Sequence, residues 1–423
     1  MRDKAYRLGV MNGALVMAMS SIVRPDLVLS ALVLRLSGST LLAALPPALA
    51  HLGMLMPQLF VAHLAEGMPR KKPIYAAANT TRIAVLALMA ATAYGLGLRA
   101  PGVLAGLCLF GYFLYASGAG ASSIAFMDIV ARTIPATRRG SFMGMRGVYG
   151  GALGLVAGFF VRYMLGDGGP AFPLSYAGLF AVAAGLMVAA SALFLLIDEP
   201  PAAAPRQRVS FRQHLTQGVQ TLGEDGNYRR IITVRGFLGA MTVGPAVFIP
   251  FAIVGLGLPE AIAGTLLILA ALFALPANFI WSHIGDHHGN RRLIRAATAT
   301  SLGAALLALL SAHLPPWPVH LEMLAVRDLP TAVFVLAFVL STAGMRGGMM
   351  GTTNYLLEVA PDERRPSYVA MMRILQTPPS LLAPVIGGAV ADLVSFEAAF
   401  ALAVGLGCIT WVLSGRLIEP REG

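Results

Sequence analysis

Charge is what this sequence has least of. Asp, Glu, Lys and Arg supply 12% of its 423 residues, about half the share a soluble chain carries. So few charges cannot tile a water-exposed surface, and a mean hydropathy of +0.72 makes lipid the outer solvent. Cysteine is nearly absent. Cys108 and Cys408 stand alone in apolar runs, which excludes a thiol redox pair or a cysteine zinc cage and reads as two core hydrophobes. No G-x-x-x-x-G-K-[ST] segment occurs, so the chain has no phosphate-cradling loop with which to burn ATP. The net charge of +11 does not indicate nucleic acid, because the bases come in short clusters between long apolar runs.

What is abundant is apolar sequence of spanning length. Windows of about 20 residues suffice to cross a bilayer. They fall at approximately 8–34, 40–65, 74–97, 102–131, 141–165 and 174–197, then 231–255, 260–284, 293–314, 330–357, 367–392 and 396–415, each bound good to about four residues. The expected fold is therefore all-α, with twelve membrane helices. Residues 1–197 form one set of six and 231–416 the other, joined by a loop over 198–230 and followed by a tail over 417–423. In the loop, Phe211, Leu215, Val219 and Leu222 recur at helical spacing, which suits either a surface-lying amphipathic helix or a solvated tether.

Alternate connections hold nearly all the positive charge. Arg2, Lys4, Arg7, Arg70, Lys71, Lys72, Arg132, Arg138, Arg139, Arg229, Arg230, Arg291, Arg292, Arg364 and Arg365 share one face, whereas the other has chiefly Arg35, Arg99 and Arg327. Lys and Arg in short loops stay inside. Both termini and the central loop are thus expected in the cytoplasm, in a bacterial-type membrane.

Two loops repeat. Leu64-Ala65-Glu66 followed by Arg70-Lys71 returns as Asp286 followed by Gly289 and Arg291. Pro135-Ala136-Thr137-Arg138-Arg139-Gly140-Ser141-Phe142 returns as Pro361-Asp362-Glu363-Arg364-Arg365-Pro366-Ser367-Tyr368. Such duplication in a polytopic protein means two bundles able to rock against one another. The loop after the second helix of each half resembles that of the major facilitator superfamily, G-x-L-A-D-R-x-G-R-K. Ala62 and Pro69 replace its glycines and Gly67 an arginine in the first copy; Ser282, His287 and Asn290 depart from it in the second. The resemblance implies two pseudo-symmetric six-helix bundles around a cavity that opens alternately to either side. The superfamily's antiporter motifs are missing: Leu114 and Ser117 hold the places of an arginine and a glutamine in the fourth helix.

The repeat also explains His283, Asp286, His287 and His288, which superficially resemble metal ligands; neither metal nor cofactor is expected. Acids and bases at the loops could latch the bundles in one state. These are Glu66, Arg70, Lys71, Asp128, Arg138, Arg139, Arg146, Asp286, Arg291, Arg364 and Arg365, with Asp128 pairing Arg132 along its helix and Arg146 in reach of Asp128. Loop tightening and positive-inside retention are the structural alternative for the same residues. Arg82, Arg235 and Arg295 are expected to extend toward the boundary.

Deeper charges are expensive in hydrocarbon and therefore functional candidates. Arg346 sits mid-span in a glycine-rich stretch, and the resemblance places its helix on the substrate pathway. Asp26, beside Arg24, can share a face with it only if Pro25 kinks the helix, because residues two apart on a regular helix point about 200° apart. His51, beyond Pro46 and Pro47 as helix-bending residues, could relay protons or simply pack. Arg373 and Gln376 complete the candidate cavity. Gly147, Gly150, Gly151, Gly154 and Gly158 read as a close-packing face. The expected function is secondary transport of a small, anionic organic solute by alternating access, by a monomer in the lipid bilayer with protons as one candidate coupling ion. The alternative is a non-transporting helper of the same fold.

Overall fold

The computed structural model describes residues 2–66, 68–201, 225–321, 326–361 and 364–419. The proposed helix around Phe211 to Leu222 lies outside these. Among the described residues, twelve helices are long and apolar enough to cross a membrane. The chain divides into two compact units, one of residues 1–206 with 259–271, the other of 207–258 with 272–423.

In the first unit, α1 (Arg2–Ile22) gives way to a π-helical turn, Pro25–Leu29, and then α2 (Ser30–Ser37). The interruption has a local cause. Pro25 offers no N–H, and it forces Arg24 out of the helical region to φ −62°, ψ 124°. Next come a single turn α3 (Thr40–Ala43), α4 (Leu45–Glu66), α5 (Lys72–Leu96), α6 (Pro101–Thr133), α7 (Ala136–Met164) and α8 (Leu174–Leu195). Pro46 and Pro47 follow directly on the break at Ala44 that separates α3 from α4 within the second span. They occupy the first turn of α4, where a missing N–H leaves no bond unmade. Close packing of α1 on α7 uses glycine: a Cβ on Gly150 would overlap Met17, and one on Gly154 would stand 3.3 Å from Ser21 Oγ. A Cβ at Gly147 or Gly151 would meet nothing within 4 Å, so three of the five glycines, Gly150, Gly154 and Gly158, make close contacts.

The second unit opens with α9 (Gly226–Ala240), whose first N–H groups are capped by Asp225 Oδ1 at 2.9 and 3.0 Å. Two 3₁₀ turns, one α turn and a π-helical turn, Phe251–Gly255, follow around Pro245 and Pro250. The eighth span is split at Phe273 into α10 (Ile262–Leu272) and α11 (Ala274–His288), and α10 up to Ala271 belongs to the first unit. After α12 (Asn290–Ser311) comes an antiparallel ribbon, β1 (Pro318–Leu321) and β2 (Val326–Asp328), which the sequence reading did not anticipate. Asp328 then caps α13 (Leu329–Val359), and α14 (Arg365–Leu393) and α15 (Phe396–Ser414) complete the chain. Each unit has an aromatic-rich core near its chain-entry end, Tyr75, Phe142 and Phe194 in one, Tyr228, Tyr355 and Tyr368 in the other. The π turns in spans one and seven lie 226 residues apart, the same offset as Arg138 and Arg364. The duplication thus extends from the loops into irregular backbone.

Candidate functional site

At the loop end of each unit one carboxylate stitches helices together. Glu199 Oε1 accepts the Lys71 N–H at 2.5 Å and Oε2 the Lys72 N–H at 2.9 Å, with Arg132 Nη1 3.8 Å away. In the other unit Glu419 Oε2 accepts the Arg291 N–H at 2.9 Å, while the Arg291 guanidinium donates to the Gly415 carbonyl. Glu199 and Glu419 are 220 residues apart, as are Lys71 and Arg291. Each acid caps the third helix of its half, meeting orphan N–H groups with negative charge at the positive end of the helix. Neither was singled out from sequence. The signal was there: Ile197-Asp198-Glu199-Pro200 returns as Ile418-Glu419-Pro420. Glu199→Ala and Glu419→Ala are each expected to cost about 1–2 kcal/mol of stability, read as a lowered unfolding midpoint of the purified protein.

The expected gate residues scatter around these caps. Asp128 pairs Arg132 four residues on at 2.5 Å, and Arg138 pairs Asp3 at 2.8 Å. Lys71 Nζ donates to Met68 O, and Arg139 donates to the carbonyls of Ala131 and Ile134. Arg70, Asp286 and Arg364 are exposed, and Arg365 reaches the Leu357 carbonyl. Glu66 ends α4, with its side chain outside the described set. Arg146 corrects the expectation that it would meet Asp128. Its Nη1 donates to Gly9 O at 2.6 Å and Asn12 Oδ1 at 3.2 Å, with the guanidinium 4.4 Å above Phe126. A Cβ at Gly13 would fill the space its stem uses.

Arg82 and Arg235 also turn inward rather than toward the boundary. Arg82, 5% exposed, donates to Asn79 Oδ1 at 3.1 Å and Tyr115 Oη at 2.8 Å, with Gly118 leaving room for its stem. Arg235 Nε donates to Gln376 Oε1 at 2.6 Å and Nη1 to Thr352 Oγ1 at 2.8 Å. Arg295 lies over the Trp411 ring at 5.0 Å. Arg24 does meet Asp26: Nε and Nη2 bond the two carboxylate oxygens at 2.9 and 2.8 Å, a geometry the extended residue before Pro25 makes available. His51 on α4, Arg346 midway along α13 and Arg373 on α14 are exposed, and Gln376 is half-buried. The structure thus joins Arg24 to Asp26 and brings Gln376 to Arg235, which was not a candidate. His283 and His287 stack at 4.2 Å between ring centres on the last turns of α11.

The far end of the first unit holds a cluster absent from the sequence reading. Glu260 accepts from Arg35 Nη1 at 2.8 Å and Tyr176 Oη at 2.9 Å, and the Arg35 guanidinium lies 4.5 Å above Phe172. Below it, a Cβ on Gly264 would overlap the backbone of Arg162, and one on Gly158 would stand 2.8 Å from Ile268. Residues 259–271 are therefore held to the first unit by an ion pair and by backbone-to-backbone approach.

The family model of the Major Facilitator Superfamily matches residues 9–326 and, again, 231–423. No curated protein matches the sequence. Among solved structures, a D-xylose–proton symporter is similar at a TM-score of 0.73 with 14% identity over 99% of both chains. A bacterial homologue of the iron transporter ferroportin in its inward-facing state gives 0.68 with 14% identity over 98% of both. The nucleoside transporter NupG gives 0.65 with 13% identity over 98% of both. The chain belongs to the Major Facilitator Superfamily. It is a multi-pass membrane protein and a secondary transporter of a small-molecule substrate, not an enzyme.

Proposed function

We propose that the substrate is a small organic anion, moved by alternating access between bundles 1–197 and 231–416, with both termini and the 198–230 loop in the cytoplasm of a bacterial-type membrane. One observation carries the choice of substrate. Of the interior arginines Arg24, Arg82, Arg146 and Arg235, only Arg24 has a carboxylate partner among the described residues; the others are held by hydroxyl, amide, carbonyl and ring groups. Holding a cation inside a spanning segment without an acid is costly even where, as for Arg146 and Arg235, the side chain is half-buried, a cost that a negatively charged solute repays in part. Neutral solutes gain nothing from it. Arg24, Asp26, His51, Arg346, Arg373 and Gln376 are the cavity residues of this reading, and the loop acids and bases its cytoplasmic gate.

Protons are the candidate coupling ion of this reading, which would need Asp26, Asp128 or His51 to exchange a proton during the cycle, and its working unit is a monomer. Proteoliposomes made with the pure protein should accumulate carboxylates in response to an acid-outside pH gradient and ignore uncharged sugars. Sugar uptake without anion uptake would sink the substrate assignment. Anion uptake indifferent to the gradient would remove proton coupling alone.

A further inference from the structure

Arg235 sits 226 residues after Gly9, and Gln376 226 after Gly150, the offset of the π turns. Both units therefore place a guanidinium in the seam between the first and fifth helices of their half. They deliver it from opposite sides, Arg146 from α7 toward Gly9 in one, Arg235 from α9 toward Gln376 in the other. The two are not equally engaged. Arg146 is spent on Gly9, Asn12 and the Phe126 and Phe142 rings. Arg235 is held by two neutral acceptors through Nε and Nη1. The polarity of that grip is fixed, since the Thr352 hydroxyl gives its proton to Gly348 O at 2.6 Å and keeps a lone pair for Arg235. Among the described residues, Nη2 has no partner, and the side chain is only half-buried. Arg373, exposed and one turn before Gln376 on α14, adds a second positive charge on that face.

We infer that Arg235, oriented by Gln376 and Thr352, is the anchor for the oxyanion of the substrate, a carboxylate or phosphate whose oxygen is taken by Nη2. This deepens the anionic-solute reading and rests on it. A guanidinium locked through two of its three nitrogens loses little freedom when it binds the third, so recognition is pre-organised. The positive charge remains available because both orienting groups are neutral.

The test uses the full-length protein in nanodiscs, titrated at constant ionic strength with succinate, acetate and inorganic phosphate, and with glucose as the uncharged control. At least one of the three anions should raise the unfolding midpoint, and which one does separates carboxylate from phosphate. Arg235→Gln should weaken that anion at least tenfold, the loss expected for one charge-assisted hydrogen bond. Gln376→Glu is the decisive second variant. It sets an acid against Arg235, so it should hold or raise the unfolding midpoint while abolishing the anion response; a purely structural arginine would leave that response intact. Wild-type protein that answers to glucose alone, or to none of the anions, overturns both this inference and the anionic-solute reading. Wild-type anion binding that survives unchanged in Arg235→Gln and Gln376→Glu overturns the anchor and leaves the wider reading standing.

Discussion

Asp26→Asn is expected to destabilise the protein by about 3 kcal/mol, while Arg24→Met combined with Asp26→Leu should return stability close to the starting value. The asymmetry follows from what each change leaves behind. Asp26→Asn strands the Arg24 guanidinium, now bonded through Nε and Nη2 to the carboxylate, inside a spanning segment. Breaking a buried pair costs about 3–5 kcal/mol, whereas exchanging both partners for apolar groups is often neutral. The lower end applies because the two side chains retain 27% and 32% of their accessible surface. Equilibrium unfolding of the two variants in one detergent checks the difference. If the double variant is as unstable as the single one, the pair holds the π turn in shape and Pro25 alone does not. Transport separates the roles further: a well-folded double variant with no uptake would place this ion pair in the solute cycle.

Why this pair is special becomes visible through the repeat. The π turn of the seventh span places Pro250 and Ala252 where the first span has Arg24 and Asp26. The backbone irregularity is therefore common to both halves and the charge is not. A π turn opens the i→i−4 ladder and tends to sit at functional positions, and only the first half has filled that opening with ionised groups. The same asymmetry marks the seam of the first and fifth helices, where one half uses up its arginine on its own backbone and rings and the other leaves an edge unspent.

Periodic features were legible in the sequence and distant ones were not. Lipid demands an apolar window for every crossing, so the twelve spans could be read from hydropathy, although the first, fifth and seventh begin five residues before the windows do. The repeated Arg-Arg and Arg-Lys loops gave the duplication because such short-range patterns survive in the order of residues. Asp128 and Arg132 pair four residues apart, which helical geometry alone predicts. The caps could not be assigned that way, since Glu199 meets Lys71 across 128 residues and only the fold brings them together. The partners of Arg146 were hidden for a related reason. Its helix position suggested a boundary residue in reach of Asp128, but Gly13 on α1 leaves a slot for its stem, and a slot formed between two helices is invisible in either one. The ribbon of Pro318–Leu321 and Val326–Asp328 was hidden in a Pro-rich connection without strand-like alternation.

Gly264→Val should free residues 259–271 from the first unit, and with Glu260→Gln the release should be larger than either alone. A Cβ at Gly264 meets Arg162 N, Cα and Cβ, and backbone atoms cannot swing aside as a side-chain tip can. Overpacking of this kind costs about 1–3 kcal/mol or more. Glu260→Gln weakens a pair whose arginine is 43% exposed, so its share is about 1 kcal/mol or less. Together they approach 3 kcal/mol, about a hundredfold shift in any equilibrium in which the segment docks and undocks. On the proposed alternating access, with 231–416 as one moving bundle, such an equilibrium is expected for residues 259–271. A cysteine placed at Ala261 in a background free of Cys108 and Cys408 reports it. Its labelling by a membrane-impermeant maleimide, applied to the face opposite the termini, should accelerate on Gly264→Val, and further on the double change. Equal labelling rates in all variants would mean that the segment is a fixed part of the first unit, and that the opening step must be sought in other helices.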